Sequence, residues 1–202
     1  IIGYSAPINK ILNLKELKKN LYFLKKLPNA VPYVTSYYKK RWGFCIKYNE
    51  FKKLKKGKYK VYINSKFTNG NLVIGEKLIK GKSKKEMLFS SYLCHPSMAN
   101  NELSGPIVLR EICKRLQNKK LNYSYRFILT SETIGAISYL KKRGNYLKKN
   151  LIAGYQLTCL GDKGNYTFKK TKLENSYTNF LAIKTLQSFK DKFKVIDFFP
   201  TG

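Results

Sequence analysis

With 202 residues, 43% hydrophobic, 26% charged and 14% aromatic, the chain has enough apolar side chain for one globular unit of ordinary size or a core with a small insertion, which excludes disorder over most of its length. No apolar run reaches the roughly 20 residues that cross a bilayer, and the first ten residues lack the basic-then-apolar order of a signal peptide, so no membrane partner is expected. The net charge of +30 rests on 36 lysines and only five arginines, scattered as pairs such as Lys18-Lys19, Lys84-Lys85 and Lys148-Lys149; the scarcity of arginine speaks against a nucleic-acid partner.

In chain order, Asn13 and Glu16 have the spacing of a capping box, and Leu14, Leu17, Leu21 and Leu24 then recur at helical spacing with lysines on the other face. Pro28 and Pro32 end that amphipathic helix. Residues 59–63 and 71–79 read as strands separated by the turn signal Asn69-Gly70, which makes 41–80 a small β-rich unit. From Met87 the pattern alternates: strand 87–93, loop, helix 106–117, strand 124–129, loop, helix 135–142, strand 151–157. This alternation predicts an α/β sheet covered by crossover helices, and Pro106 suits the first turn of its helix. A short strand at 166–168, a helix at 176–189 and a strand at 193–198 follow. No internal repeat or low-complexity tract interrupts the pattern.

Four cysteines (Cys45, Cys94, Cys113, Cys159) stand far apart, form no CxxC pair and have apolar neighbours, as in Tyr92-Leu93-Cys94. Free thiols and a cytoplasmic location are the expectation. The chain starts at Ile1 and stops at Gly202 directly after Phe198, Phe199 and Pro200, so a piece of a longer polypeptide is expected.

Ligands of open α/β sheets bind beyond the carboxyl ends of the strands. Three loops should leave that edge: Cys94 to Gly105, Thr130 to Gly135, and Thr158 to Asp162. They would bring His95, Glu132 and Asp162 toward one crevice. His95, the sole histidine, reads either as a metal ligand or as a side chain that bonds its own loop. Glu132 reads equally as a base that activates water or as a cap on the following helix. Ser104-Gly105 lacks the Gly-x-Ser-x-Gly elbow of a serine hydrolase, and there is neither a Walker loop nor GxGxxG.

The run Tyr92-Leu93-Cys94-His95-Pro96-Ser97-Met98-Ala99-Asn100-Asn101-Glu102-Leu103-Ser104-Gly105-Pro106 resembles the hallmark of a group of bacterial aminopeptidase-like proteins, distant relatives of the co-catalytic di-zinc aminopeptidases. Residues 32–38, Arg41-Trp42-Gly43-Phe44-Cys45, Glu132-Thr133-Ile134-Gly135 and Thr158-Cys159-Leu160-Gly161-Asp162 carry the same resemblance. It implies an α/β fold with a phosphorylase/hydrolase-like three-layer peptidase core, incomplete here, and a small β-rich inserted domain. On that reading residues 1–40 start the core, 41–80 form the insertion and 81–202 continue a core truncated at its C-terminus. It also implies a context among polysaccharide-biosynthesis genes.

Carried over residue by residue, the resemblance makes His95 a metal ligand and Glu132 the catalytic base, with Asn101 and Asp162 on the substrate-binding side. The departures are equally specific. Asn101 stands where the family places a bridging aspartate, Thr133 where it places a second carboxylate, and Thr158 at the third-loop aspartate. A catalytic zinc takes three protein ligands, and the chain offers one histidine and three aspartates, Asp162, Asp191 and Asp197. One zinc ion, with ligands missing from this chain, is therefore expected rather than two. The implied activity is an aminopeptidase-like metallohydrolase cleaving a peptide or amide bond of a small-molecule substrate. The alternative is a catalytically inactive aminopeptidase-like binding protein associated with polysaccharide biosynthesis, and a homo-oligomer is left open.

Overall fold

The computed structural model describes residues 1–36, 38–95, 98–189 and 192–199. Of the positions singled out above, Tyr37, Pro96, Ser97, Asp191, Pro200 and Gly202 lie outside the described residues. The chain divides into two compact units, 1–70 and 71–202.

In the first unit, β1 (Ile8–Asn13) leads directly into α1 (Leu14–Lys18). Asn13 accepts from the Glu16 amide at 3.0 Å while Glu16 accepts from the Asn13 amide at 3.1 Å, so the capping box forms as its spacing predicts. The helix is only five residues long, however, and Leu21 lies in the two-residue strand β2 (Leu21–Tyr22), which pairs in parallel with β3 (Phe44–Cys45). Helical spacing of leucines is satisfied here by one helical turn followed by an extended segment. A second short helix, α2 (Tyr48–Lys52), precedes β4 (Lys58–Ile63), which runs antiparallel to β1. Ile2, Leu17, Val61 and Ile63 are the buried apolar residues of this unit.

The second unit contains a four-stranded sheet in the order β5-β7-β6-β8, formed by β5 (Gly75–Ile79), β6 (Glu86–Tyr92), β7 (Ser124–Thr130) and β8 (Leu151–Gln156). Strands β6, β7 and β8 are mutually parallel, and β5 is an antiparallel edge on β7. Strands β4 and β5 therefore pair in separate sheets, not with each other across Asn69-Gly70. After β6 a π-helical turn (Asn100–Ser104) runs into α3 (Gly105–Leu116); α4 (Ile134–Asn150) joins β7 to β8, eight residues longer at its C-terminal end than the 135–142 segment read from sequence.

Period-2 alternation on β7 splits the core into two clusters. Phe127 packs with Leu109 of α3 and Ile79, whereas its neighbour Ile128 packs with Tyr139 and Leu147 of α4. One crossover thus goes from β6 to β7 through α3, and the next returns past β6 to β8 through α4. The chain reverses direction at β6. In open parallel sheets, the crevice at the carboxyl end of such a reversal is the ordinary ligand site. Beyond β8, a parallel pair of β9 (Tyr166–Lys169) and β10 (Phe193–Ile196) flanks α5 (Tyr177–Gln187), whose N-cap Ser176 accepts from the Asn179 amide.

Candidate functional site

Because β6, β7 and β8 are parallel, the three loops that follow them leave the same edge of the sheet, as the sequence predicts. Their backbones are unusual. The first folds into a π-helical turn, a rare form associated with functional sites. In the second and third, Thr133 (φ 52°) and Cys159 (φ 51°) occupy positive φ without being glycine, which costs of order 1–3 kcal/mol each. The close approach of the elements also demands glycine. A Cβ on Gly105 would meet the Leu157 carbonyl oxygen at 2.3 Å and Ser91 Oγ at 2.4 Å.

The first loop gathers three metal-binding side chains. Cys94, His95 and Glu102 each offer one ligand atom, and these atoms lie within 4.8 Å of one another. His95 Nδ1 is 2.8 Å from Glu102 Oε1 and 3.6 Å from Cys94 Sγ, and the thiol is 4.0 Å from Glu102 Oε1. Glu102, 2% exposed in the π-helical turn, also accepts from the Cys94 amide. Burial pushes its carboxyl up, but the Cys94 and His95 hydrogen bonds more than reverse this and hold it below the usual carboxylate range. The Cys94 thiol moves the other way: burial raises it, and the Glu102 and Glu132 charges add to the rise.

Glu132 joins the first loop through its backbone, whose N–H donates to Cys94 Sγ at 3.3 Å, while its own side chain is exposed. Asn101 Nδ2 donates to Tyr92 Oη at 3.2 Å and lies 3.7 Å from Cys159 Sγ; its Oδ1 is buried with no hydrogen-bond partner. Tyr92 Oη in turn meets Thr158 Oγ1 at 2.6 Å. Asp162 is tied to the first loop by Asn100, whose Nδ2 donates to Asp162 Oδ2 at 2.9 Å while its Oδ1 accepts from the Gly161 amide at 2.7 Å. The structure therefore brings His95 into a donor cluster and, by separate hydrogen-bond chains, links Asn101 to the third loop and Asp162 to the first. An open cleft of about 550 Å³ borders the cluster, lined by Leu93, Cys94, His95, Met98, Ala99, Glu102 and Leu103.

Cys94 and Glu102 are not marked as site residues by the sequence alone: Cys94 stands among apolar neighbours, and nothing in the linear sequence shows that Glu102 is buried. The available signal was the Cys-His pair followed, seven residues after the histidine, by a carboxylate. Thiolate, imidazole and carboxylate are all zinc donors, and a tetrahedral zinc separates such atoms by about 3.5 Å, close to the 3.6 Å between Cys94 Sγ and His95 Nδ1. The donor set fits zinc.

The fold is similar to that of BSAP, a zinc aminopeptidase from Bacillus subtilis, whose structure matches with a TM-score of 0.62 over 92% of this chain and 52% of its own, at 17% identity, a likeness of fold alone. The chain belongs to the family described as "Domain of unknown function (DUF4910)", matched over residues 12–202. A "Putative polysaccharide biosynthesis protein with aminopeptidase-like domain" from Clostridium acetobutylicum is 39% identical over all 202 residues, which cover 46% of its length. The crystal structure of a "putative peptidase" from Clostridium acetobutylicum, also 39% identical, gives a TM-score of 0.91 over 100% of this chain and 47% of that one. The chain thus spans about half the length of these relatives.

Proposed function

We propose that the chain forms part of an aminopeptidase-like metallohydrolase that cleaves an amide bond, either an N-terminal peptide bond or an amide on a sugar-linked or modified amino acid. The observation that carries this reading is the Cys94-His95-Glu102 cluster beside an open cleft, at the carboxyl ends of parallel strands. The reading includes a three-layer peptidase core and a single zinc held in part by His95; the β-rich insertion expected at 41–80 is not part of it, because β4 pairs with β1 and β5 joins the main sheet beside β7. Four free cysteines support a reducing, cytoplasmic setting. Among the described residues no helix is long and apolar enough to cross a membrane.

Zinc, when bound, supplies Lewis acidity to the scissile carbonyl and acidity to water. The remaining chemistry belongs to the chain. Glu132 takes a proton from the attacking water and passes it to the leaving amine; its charge already acts on Cys94 at the cluster. Before metal enters, Glu102 holds the His95 ring in place through Nδ1. Leu93, Met98 and Leu103 receive the apolar part of the substrate, and Asn101 and Asp162 offer polar contacts on the third-loop side. In the zinc-loaded full-length protein, Glu132→Gln should lower turnover of a responsive aminoacyl amide about 100-fold or more. Turnover unchanged in that variant would remove Glu132 as the base.

A second reading has its own observation. Where the resemblance calls for carboxylates, Asn101 and Thr158 are joined through Tyr92 in a neutral hydrogen-bond chain, which suits a binding protein without turnover. An aminoacyl-amide panel left unhydrolysed by the zinc-loaded full-length protein would favour it.

A further inference from the structure

We propose that Cys94, His95 and Glu102 form a self-sufficient mononuclear metal site in which the Cys94 thiolate is a ligand. This rests on the metal-binding reading above and goes beyond it by naming the donors other than His95 and by making the first loop sufficient to hold the ion. The three donor atoms already lie within 4.8 Å of one another. Glu102 is anchored by the Cys94 amide and buried in the π-helical turn. The Cys94 sulfur in turn receives the Glu132 N–H at 3.3 Å, the outer contact that metal-bound thiolates accept.

Binding exchanges protons for the cation. The thiol proton leaves to solvent, and the His95 proton held between Nδ1 and Glu102 Oε1, 2.8 Å apart, moves by exchange with water to Nε2, which leaves a neutral ring and an ionised carboxylate as the S–metal, N–metal and O–metal bonds form. A mixed sulfur, nitrogen and oxygen set with a soft thiolate selects zinc or cobalt over magnesium or calcium. The cleft beside the three donors leaves one side of the ion open to a further ligand.

The test adds Co(II) to metal-free full-length protein and follows absorption, with Cys94→Ser, Glu102→Gln and Cys159→Ser as variants and circular dichroism as the control for folding. A thiolate-to-cobalt charge-transfer band should form in the parent and in Cys159→Ser, vanish in Cys94→Ser, and need about tenfold more cobalt in Glu102→Gln. In the unmutated protein, saturating zinc should slow alkylation of Cys94, mapped by mass spectrometry, at least about tenfold. Stoichiometric cobalt without the band, or a band that survives Cys94→Ser, overturns the thiolate assignment while leaving a metal site elsewhere in the crevice intact. Cobalt that does not bind at all overturns both readings. Alkylation unaffected by zinc marks the cluster as a hydrogen-bonded staple of its loop.

Discussion

Glu86 and Arg126 carry opposite charges into the interior of the second unit. Their side chains are 1% and 5% exposed, and Arg126 meets both Glu86 oxygens, at 2.6 and 2.8 Å, while Tyr146 donates to the same carboxylate at 2.5 Å. Arg126 also bonds Glu76. Breaking a buried pair leaves one charge uncompensated, so Glu86→Gln should cost about 3–5 kcal/mol in urea unfolding. Burial pushes the Glu86 carboxyl up, yet the Arg126 and Tyr146 hydrogen bonds and the Arg126 and Arg143 charges outweigh that and hold it below its ordinary 4.5. A lowered carboxylate stabilises the fold fully above its unfolded pKa and loses that contribution as pH falls through the folded value. The stability of the parent should therefore decline more steeply than that of Glu86→Gln below about pH 4.5, and parallel acid limbs would contradict the assignment. At this scale His95 was legible because its loop motif is distinctive. The burial of Glu86, Glu102 and Arg126 was not, since a charged residue reads as solvated until its partner is known, and Glu86 and Arg126 are 40 residues apart.

Between elements, the decisive contacts are close backbone approaches. Gly105 starts α3 where the end of β8 leaves no room for a Cβ, whereas Gly144 in α4 would place its Cβ in open space. Gly105→Ala should destabilise by about 1–3 kcal/mol through overpacking, and Gly144→Ala should stabilise by up to about 1 kcal/mol through helix propensity. Equal effects in denaturant titrations would mean that the α3–β8 approach leaves room for a methyl group at Gly105. The alternation of strands and helices from Met87 onward was readable because each βα crossover is local and its periodicity changes from 2 to 3.6. The pairing of β4 with β1 was not, because it joins Ile63 to Ile8 and no turn signal marks so distant a partner. The short α1 escaped for a related reason: Leu21 and Leu24 fit a helical stripe, yet Leu21 is claimed by parallel pairing with Phe44.

Across the molecule, the acidic residues are few and two of those described lie inside. Of the 11 acids against 41 bases, Glu86 and Glu102 are buried, so the surface is more uniformly basic than the composition suggests. The carboxyl edge of the sheet is where this changes, with Glu102, Glu132 and Asp162 on its three loops. A cation would find its carboxylates there, next to a thiol and the sole imidazole. Parallel strand order, the reversal at β6 and the donor cluster agree on that location, whereas the charge of +30 alone pointed nowhere in particular. The most direct measurement is zinc per chain, by elemental analysis of the full-length protein and its His95→Ala variant side by side. Near one zinc in the parent and none in the variant is the predicted result; no zinc in either, or equal zinc in both, would contradict a metal centre built on His95.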